Sequence, residues 1–442
     1  MRRVALIGEN SIEYVNVLLN IWNAGYSAVL IDWRIPQNLA NEIMKNAQVK
    51  ICYIEKELSM DFISIKEKGY DIITYERKKS LVSCLSKDLF GKFHAKYSQD
   101  EALILFSSGT TGKSKGIILS HYAINKNADA IISYMMINER DSMLIVKPFH
   151  HVSTIVGELL VCLKSKINTY ICSSLIMPQV ALETLFTNQI TTICLNPTLL
   201  YLYTKCQKNK SYEMSKLKAI YVSGSMVDKK LLIMADSAFS YASILNVYGL
   251  SEAGPRLTAQ TLAQNNVIGS VGKPIENVAI KIVKSSGQKA EAGEIGAIYA
   301  KTLSAFSGYV QNSDNVQIIQ DGWINTKDMG YLDKENNLFI VGRVDNMIHI
   351  GSHNVFPESV ENIIRSMDFI DDCAVVGSKN LLYGNILICY YVADRDMEGD
   401  IKAYCGNKLI AHEIPRKYVR LNGIPRTPNG KLNYNEIKSW EN

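Results

Sequence analysis

A loop rich in hydroxyls, glycines and lysines follows an apolar segment that begins at Leu103. The stretch reads Leu103-Ile-Leu-Phe-Ser-Ser-Gly-Thr-Thr-Gly-Lys-Ser-Lys-Gly-Ile-Ile-Leu-Ser-His121. Small residues let backbone N–H groups approach a polyphosphate closely, hydroxyls donate further hydrogen bonds, and lysines neutralise its charge. The composition of this stretch therefore predicts a phosphate-binding loop.

Two other interpretations of the same loop are possible. Gly112, Lys113 and Ser114 match the end of a Walker A loop, but Ser107 stands where its first glycine is required. A Walker loop also opens directly into a helix, whereas the apolar run after Gly116 predicts a strand. The context argues against a Walker-type NTPase and leaves a glycine-rich surface turn as the plain alternative.

Five further motifs follow along the chain. They are Tyr221-Val-Ser-Gly-Ser225, Asn246-Val-Tyr-Gly-Leu-Ser-Glu252, Asp321-Gly-Trp-Ile-Asn-Thr-Lys-Asp328, Phe339-Ile-Val-Gly-Arg-Val-Asp345 and Pro425-Arg-Thr-Pro-Asn-Gly-Lys431. Together with the phosphate loop they resemble, in the same order, the motifs of the acyl-adenylate-forming enzymes. That family includes acyl-CoA synthetases, the adenylation domains of peptide synthetases, and luciferases. The resemblance covers nearly the whole chain, which begins near the family's second conserved segment.

The resemblance implies a nucleotide site for ATP. Its expected members are Ser107, Ser108, Gly109, Thr110, Thr111, Gly112, Lys115, Ser223, Gly224, Ser225, Asn246, Tyr248, Gly249, Asp328 and Arg343. Asp328 is expected to accept hydrogen bonds from both ribose hydroxyls, Tyr248 to pack on adenine, and Arg343 to reach the ribose or a phosphate. Taken singly, these residues also fit a turn aspartate, a packed tyrosine and a solvated arginine. Lys327 stands where the family usually has glycine.

Three residues are expected to carry the catalysis. Adenylation brings a carboxylate to the α-phosphorus of ATP, so cations and oriented donors must offset the repulsion between two anions. By resemblance, Glu252 binds Mg²⁺ as a hard oxygen ligand, Ser251 contacts the α-phosphate, and Lys431 bridges the substrate carboxylate and the α-phosphate. The plain alternatives are a glutamate at a helix start and a lysine in an exposed Asn-Gly-Lys turn.

The acid and the thiol have separate expected sites. Adjacent His150 and His151 would point apart in a strand, which argues against a joint metal site. By resemblance, His151 lines the acyl pocket beside Gly224, at the place where amino-acid-activating relatives carry an aspartate for the substrate ammonium. The sequence therefore predicts an acid without an α-amino group. Gly351 is expected beside the thiol tunnel, although Ser352 replaces the second glycine of the usual pair, and Asp345 is the expected hinge.

The apolar patterning indicates the elements that must position these residues. Apolar runs at 4–7, 28–31 and 49–54 predict strands; they alternate with helical spacing after Asn10, a candidate N-cap, and near Pro36. This order predicts a parallel sheet covered by helices. Residues 56–98 show only weak patterning. Glycine-punctuated segments from 268 to 342 predict antiparallel strands, and a small α+β unit is expected after them.

The predicted fold class is therefore α/β. We expect a large N-terminal domain, residues 1–344, made of layered parallel sheets with helices plus a β-rich subdomain. A small, mobile α+β C-terminal domain, residues 345–442, would carry the catalytic lysine.

The bulk composition sets limits on partners and compartment. The formal net charge is +5, which gives no reason to propose nucleic acid or a membrane surface. The apolar run near 155–163 is interrupted by Gly157 and Glu158, too short to span a bilayer. The nine cysteines are scattered without a C-x-x-C pair, as expected for reduced thiols in the cytoplasm. The sequence leaves the oligomeric state open.

The predicted activity is that of an acid–thiol ligase of the acyl-CoA synthetase type. A carboxylic acid and Mg-ATP would give acyl-AMP and pyrophosphate, and the acyl group would then pass to a thiol. Coenzyme A is the favoured thiol. The alternatives are a stand-alone adenylation enzyme that loads the phosphopantetheine arm of an acyl carrier protein, and a nucleotide-binding relative without catalysis. The identity of the acid depends on how unaligned pocket residues pack.

Overall fold

A computed structural model describes most of the chain: residues 2–59, 62, 69–107, 115–173, 177–225, 227–264, 266–311, 319–351, 353–380, 384–427 and 431–441. Most of the expected phosphate loop, namely Ser108, Gly109, Thr110, Thr111 and Gly112, lies outside the described residues, as does Ser352.

The strands are β1 Arg3–Ile7, β2 Ser27–Ile31, β3 Ile51–Glu55, β4 Asp71–Tyr75, β5 Val82–Cys84, β6 Glu101–Ser107, β7 Lys115–Ser120, β8 Ser142–Ile145, β9 Asn168–Cys172, β10 Thr192–Leu195, β11 Ala219–Val222, β12 Ser243–Tyr248, β13 Thr258–Ala259, β14 Lys273–Pro274, β15 Val278–Val283, β16 Gly296–Thr302, β17 Gly308–Tyr309, β18 Ile319–Gln320, β19 Trp323–Leu332, β20 Leu338–Arg343, β21 Ile348–Ile350, β22 His353–Val355, β23 Asp372–Asn380, β24 Gly384–Val392 and β25 Lys417–Leu421.

The helices are α1 Ile12–Asn23, α2 Gln37–Asn46, α3 Lys87–Lys92, α4 His121–Met135, α5 Val152–Thr154, α6 Val161–Ser165, α7 Pro178–Thr187, α8 Pro197–Lys210, α9 Lys229–Ala238, α10 Pro357–Arg365, α11 Glu398–Lys408 and α12 Tyr434–Ser439. A π-helical stretch, Ile155–Leu160, joins α5 to α6, and 3₁₀ turns lie at Lys56–Leu58, Ser251–Ala253 and Val344–Asn346.

The first sheet has the strand order β17-β7-β6-β2-β1-β3-β4. Its strands from β6 to β4 run parallel, and β7 returns antiparallel to β6. β2 is buried along its full length, as a strand covered on both faces requires. The strand predicted after Gly116 is therefore confirmed as β7, which rules out the helix that a Walker loop needs.

The N-cap expected at Asn10 is wrong by one residue. The Ser11 hydroxyl accepts the hydrogen bond from Tyr14 N at 3.0 Å and caps α1. Asn10 is buried and instead binds the chain beyond β8: its Nδ2 donates to Lys147 O at 2.8 Å, and its Oδ1 accepts from Phe149 N at 2.9 Å. Asn10 thus fixes the turn that presents the two histidines, a long-range role that local capping patterns do not reveal.

The second sheet has the order β14-β13-β12-β11-β10-β8-β9-β5. The strands from β12 to β9 run parallel, with antiparallel strands at both edges. Both β5 and the edge strand β4 of the first sheet come from residues 56–98, where the sequence shows little pattern. Edge strands are half-exposed, so their apolar alternation is weak.

A third, antiparallel sheet corresponds to the glycine-punctuated region. Its order is β15-β16-β19-β18, and β20 pairs with β19. The register of β19 against β20 shifts between Met329 and Gly330, next to Asp328. Antiparallel strands were expected over this region, and they are confirmed.

The chain after β20 forms a smaller α+β unit. β23 and β24 pair antiparallel, β25 joins β24 in parallel, and the apolar core of the unit includes Val360 of α10 and Ile401 of α11. The Ser359 hydroxyl donates to Val341 O of β20 at 3.0 Å, so α10 is fixed against the end of the third sheet. The predicted α/β fold with a smaller C-terminal domain is confirmed.

The helices give no support for a membrane span. None of those in the described part of the chain combines the length and the apolarity needed to cross a bilayer.

Candidate active site

Asp328 lies at the centre of a buried hydrogen-bonded group. The Tyr248 hydroxyl donates to Asp328 Oδ2 at 2.5 Å, and Arg343 Nη1 lies 3.6 Å from Asp328 Oδ1. Burial raises the pKa of Asp328, and the charge of Arg343 opposes that shift. Burial, followed by the charge of Asp328, raises the pKa of Tyr248 well above its usual value, so this phenol stays a donor. The structure thus brings together three residues expected around the ribose.

Tyr248 has a contact that the sequence interpretation did not include. Its ring packs against two apolar clusters of the β-rich part, which contain Ala300 and Ile298, while its hydroxyl holds the Asp328 carboxylate. The contact with adenine inferred by resemblance stays a prediction; the demonstrated partner is Asp328.

Glu252 lies in the 3₁₀ turn that follows β12 and Leu250. Its Oε1 accepts a hydrogen bond from the Tyr309 hydroxyl at 2.9 Å, and its carbonyl accepts from Phe306 N at 2.8 Å. Lys115, at the start of β7, places its Nζ 5.4 Å from the centre of the Tyr309 ring. β17, which contains Tyr309, pairs with β7, so the strand that leaves the phosphate loop is tied to the carboxylate.

Glu252 fits a magnesium ion that is bound mostly by nucleotide and water. Mg²⁺ commonly takes one or two carboxylates and completes its octahedron with phosphate oxygens and waters. The described residues contain no cluster of three or more side chains of the kinds that ligate metals. One carboxylate beside the expected phosphate site agrees with that mode, and Glu252 would supply the oxygen.

Lys431 reaches the same site from the C-terminal part of the chain. Withdrawal of its ammonium from water, and then the charge of Arg343, lower the pKa of Lys431, while Asp328 and Glu252 act in the opposite direction. The residue as a whole is exposed to solvent. These interactions place Lys431 near the two carboxylates expected to bind ribose and magnesium, although 103 residues separate it from Asp328 and 179 from Glu252.

His150 and His151 lie in a turn after β8, not in a strand, but they do have separate surroundings. His150 Nε2 lies 3.3 Å from Asp32 Oδ2, whereas His151 Nδ1 lies 3.4 Å from the Ser153 hydroxyl. Burial lowers the pKa of His151 to about 3, with smaller contributions from His150 and Lys431. His151 is therefore neutral at neutral pH and close to Lys431.

The adenine segment follows the end of β11. Ser223 is buried and its N–H donates to Leu195 O at 3.0 Å, whereas Gly224 and Ser225 are exposed. Gly224 has φ +105°, which a side chain would rarely adopt. Asn246 points into the sheet, where its Nδ2 donates to Ser270 O at 3.3 Å.

The turn after β12 depends on a close backbone approach. A Cβ on Gly249 would lie 1.9 Å from Pro255 O, so only glycine fits between Tyr248 and the chain that returns past Glu252. Ser251 begins the 3₁₀ turn and lies next to Glu252. Of Ser107, at the end of β6, the structure describes the backbone alone.

The expected hinge and thiol-tunnel residues lie just after β20. Asp345 lies in the 3₁₀ turn Val344–Asn346, with Oδ2 at 3.6 Å from Arg343 Nη2. Gly351 lies in the turn between β21 and β22, at φ +59°. Apart from its chain neighbours, no atom of the described residues lies within 4 Å of the position that a Cβ would take. Their roles in the second half-reaction stay predictions.

Sequence reasoning missed Tyr309, Lys147 and Arg256. Tyr309 follows one of the punctuating glycines, and only the pairing of β17 with β7 brings it to Glu252. Arg256 lies four residues after Glu252, and this closeness in sequence to the motif could have indicated that Arg256 belongs to the site. Lys147 precedes the histidine pair and gave no signal of its own.

The chain matches known families and proteins over nearly its full length. Residues 1–310 match the model of the AMP-binding enzyme family, and residues 359–431 match the AMP-binding enzyme C-terminal domain. A 2-succinylbenzoate–CoA ligase of Enterococcus faecalis is 26% identical, over 98% of this chain and 87% of that protein. A fatty acid–[acyl-carrier-protein] ligase, ScoC of Streptomyces coeruleorubidus, is 23% identical, over 99% of this chain and 86% of that protein.

Solved structures agree with the fold. ATP-bound MatB from Rhodopseudomonas palustris superimposes with a TM-score of 0.90 at 21% identity, over 100% of this chain and 89% of that chain. The o-succinylbenzoate coenzyme A synthetase MenE from Bacillus subtilis, in complex with ATP and magnesium ion, gives 0.84 at 22% identity, over 99% and 89%. The chain belongs to the AMP-binding enzymes, the acyl-adenylate-forming family that its motifs resemble.

Proposed function

We propose that the protein is an AMP-forming acid–thiol ligase that uses coenzyme A. In the first step a carboxylate oxygen attacks the α-phosphorus of Mg-ATP, the bond to the β-phosphate oxygen breaks, and pyrophosphate leaves. In the second step the thiolate of coenzyme A attacks the acyl carbon of the adenylate, AMP leaves, and a thioester remains.

The observation that carries this proposal is the convergence of Lys431, Asp328 and Glu252. The charges of both carboxylates act on the Lys431 ammonium. A cation next to a ribose-binding carboxylate and a magnesium-binding carboxylate is the arrangement needed where two anions must meet at the α-phosphorus. Fixed charges of this kind stabilise the transition state because they need no reorganisation during the reaction.

Each residue of the site has a proposed task in the first step. Asp328, held by Tyr248, accepts hydrogen bonds from the ribose hydroxyls, and Arg343 neutralises its charge. Glu252 binds magnesium, and Ser251 donates to the α-phosphate. Lys431 binds the carboxylate and the α-phosphate together and so sets the line of attack.

The second step requires the C-terminal part to turn. Lys431 serves the first step, whereas Gly351 is proposed to lie beside the thiol in the second. Both follow Asp345, so we propose that residues 345–442 rotate as a domain about the 3₁₀ turn that contains Asp345. Hinges are commonly a few residues at the boundary of an element, where backbone angles can change.

A carrier protein is the second candidate for the acceptor. The similarity to ScoC, whose name specifies an acyl-carrier-protein acceptor, supports this candidate. Coenzyme A and a carrier protein present the same phosphopantetheine thiol, so the two differ only in what surrounds that arm.

The proposed compartment is the cytoplasm. All nine cysteines are free thiols, and most of them are buried. Small buried thiols without disulfides are usual where the redox poise keeps cysteine reduced.

Exchange of labelled pyrophosphate into ATP, measured over a panel of carboxylic acids with Mg²⁺, tests the first step. We expect acid-dependent exchange and the products AMP and pyrophosphate. ADP and orthophosphate as the primary products would refute adenylation. Supplying purified acyl-AMP with either coenzyme A or a phosphopantetheinylated carrier protein then decides between the two acceptors.

A further inference from the structure

A buried group of charged side chains lies next to the acid end of the site. It consists of Lys147, after β8, Glu158, in the π-helical stretch, and Arg256, in the loop after Glu252. They are 5%, 0% and 2% exposed. Lys147 Nζ lies 2.9 Å from Glu158 Oε1. We call these three residues the buried charge cluster.

Arg256 is held in place by its backbone. Its guanidinium interacts with the Tyr134 hydroxyl, but two of its buried nitrogens lack an aligned acceptor among the described residues. The backbone N–H of Arg256 donates to Asn127 Oδ1 and its carbonyl accepts from Asn127 Nδ2, both at 3.0 Å. The buried Nε and Nη2 make no hydrogen bond with any described residue. An unpaired buried charged donor is costly, so such groups in folded proteins normally meet a partner.

The cluster carries more positive than negative charge. Lys147 and Arg256 are cations, and Glu158 is a carboxylate whose pKa the charges of both act to lower. Burial raises the pKa of Glu158, which lowers its capacity to neutralise two cations. Its contact with Lys147 is not aligned as a hydrogen bond, and neither of its oxygens accepts one among the described residues. Within the described part of the chain, this cluster therefore sets two cations against one carboxylate.

His151 connects this cluster to the reaction centre. Lys431, Lys147 and Arg256 each contribute, after burial and His150, to lowering the pKa of His151. The imidazole is therefore close to the lysine proposed to bind the reacting carboxylate and also to the two cations of the cluster. A Cβ on Gly157 would lie 3.3 Å from Arg256 Nη2, so this glycine lets the guanidinium approach the π-helical stretch.

We propose that the acid substrate is a dicarboxylic acid whose second carboxylate binds Arg256, with Lys147 as the supporting cation. This inference rests on the proposed acid-activating function and specifies its substrate class. The first carboxylate would lie at Lys431 and react, and the distal carboxylate would supply a second anion for the two cations. A planar guanidinium suits this task because it can bind a carboxylate through two parallel hydrogen bonds.

Length-matched pairs of acids test the proposal through pyrophosphate exchange. The aliphatic pairs run from butanoate and succinate to octanoate and suberate, and benzoate is paired with phthalate, isophthalate and terephthalate. In at least one pair we expect kcat/KM for the dicarboxylate to exceed that of its partner by tenfold or more. Sites built to bind a polar substrate group discriminate strongly against analogues that lack it.

Variants of Arg256 separate substrate recognition from folding. Arg256→Met should lower kcat/KM for the preferred dicarboxylate by about 10²-fold and leave that of the matched monocarboxylate within about threefold. Arg256→Lys should keep part of the preference for the dicarboxylate. Arg140→Met, at an exposed position, should change kcat/KM for neither acid. Loss of folding would instead lower exchange with both acids together. In that case the ratio of kcat/KM between the dicarboxylate and the monocarboxylate is measured on Arg256→Lys, which keeps the charge and serves as the folded variant.

The outcomes distinguish the two levels of the proposal. The proposed binding of a second carboxylate would be refuted if monocarboxylates support efficient exchange and Arg256 variants do not change the ratio of kcat/KM between the dicarboxylate and its matched monocarboxylate. Acid activation would then remain intact. Failure of every acid in both series to support exchange would refute the acid–thiol ligase proposal and this inference with it.

Discussion

At the residue scale, the site combines carboxylates that are buried or hydrogen-bonded with cations that come from distant parts of the chain. Asp328 is held by Tyr248 on one oxygen and faces Arg343 with the other. Glu252 is held by Tyr309. Because these contacts orient the carboxylates before any nucleotide binds, little reorganisation is needed when charge develops at the α-phosphorus.

Removal of the Lys431 ammonium should affect the first step selectively. We expect Lys431→Ala to slow pyrophosphate exchange by about 10²–10³-fold, because a preorganised cation at developing charge is lost. ATP binding should change little, and supplied acyl-AMP should still be converted to thioester. Lys408→Ala, an exposed lysine of α11, is the matched control. Unchanged exchange in Lys431→Ala would place this lysine in an ordinary surface turn.

The charge around His151 predicts discrimination against α-amino acids. His151 has its pKa lowered to about 3 by burial, and the nearby charges of Lys431, Lys147 and Arg256 are all positive. A substrate ammonium would lack a counter-charge there, at a cost of several kcal/mol. Exchange rates should therefore be far lower for an amino acid than for the same acid without its amino group. His151→Asp should narrow this gap and His151→Asn should not; an amino acid that is the best substrate would contradict the prediction.

At the element scale, β19 carries a local backbone irregularity immediately before Asp328. Lys327 has φ +64°, in the left-handed region that favours glycine, and its N–H donates to Asn325 Oδ1 at 3.0 Å. The lysine therefore adopts the conformation for which relatives use glycine, and Asp328 keeps its position. The strain is local and does not change the direction of the strand.

Replacement of Lys327 should release this strain. We expect Lys327→Gly to raise the free energy of unfolding by about 0.5–1 kcal/mol, measured from urea denaturation midpoints, and to leave pyrophosphate exchange unchanged. Lys334→Gly is the matched control: this exposed lysine lacks a positive φ, so glycine there should lower stability. A lower midpoint for Lys327→Gly would show that its side chain contributes more than the strain costs.

At the scale of the whole molecule, contacts between the two parts of the chain hold Lys431 in the site. Lys230 of α9 donates to three backbone carbonyls just after α10: Asp368 O at 2.7 Å, Met367 O at 3.1 Å and Ile370 O at 3.2 Å. The proposed rotation about Asp345 would have to break these bonds. Lys230 thus favours the arrangement that we propose for adenylation.

Loss of Lys230 should weaken the first step relative to the second. Hydrogen bonds to a charged group contribute about 1.5–3 kcal/mol, and partial exposure reduces this, so Lys230→Ala should slow pyrophosphate exchange by roughly 5–10-fold. Thioester formation from supplied acyl-AMP should hold steady or rise. The neighbouring exposed Lys229→Ala is the control. Equal loss of both half-reactions would mean that Lys230 acts through overall stability.

The sequence by itself determined the reaction class and the main elements. Phosphate-binding composition, the order of six motifs and the apolar runs are local properties, and local patterns set which segments become strands or helices and which residues share a short turn. The α/β fold could therefore be named in advance, and Glu252, Asp328, Arg343 and Lys431 could be predicted as residues of one site.

Only the tertiary structure decided which distant residues meet. Tyr309 reaches Glu252 through the pairing of β17 with β7, and Asn10 binds the histidine turn instead of capping α1. Arg256 meets Lys147 and Glu158 because three elements pack at one place. Such contacts depend on sheet order and packing angle, which no local pattern encodes, and the proposed substrate class rests on them.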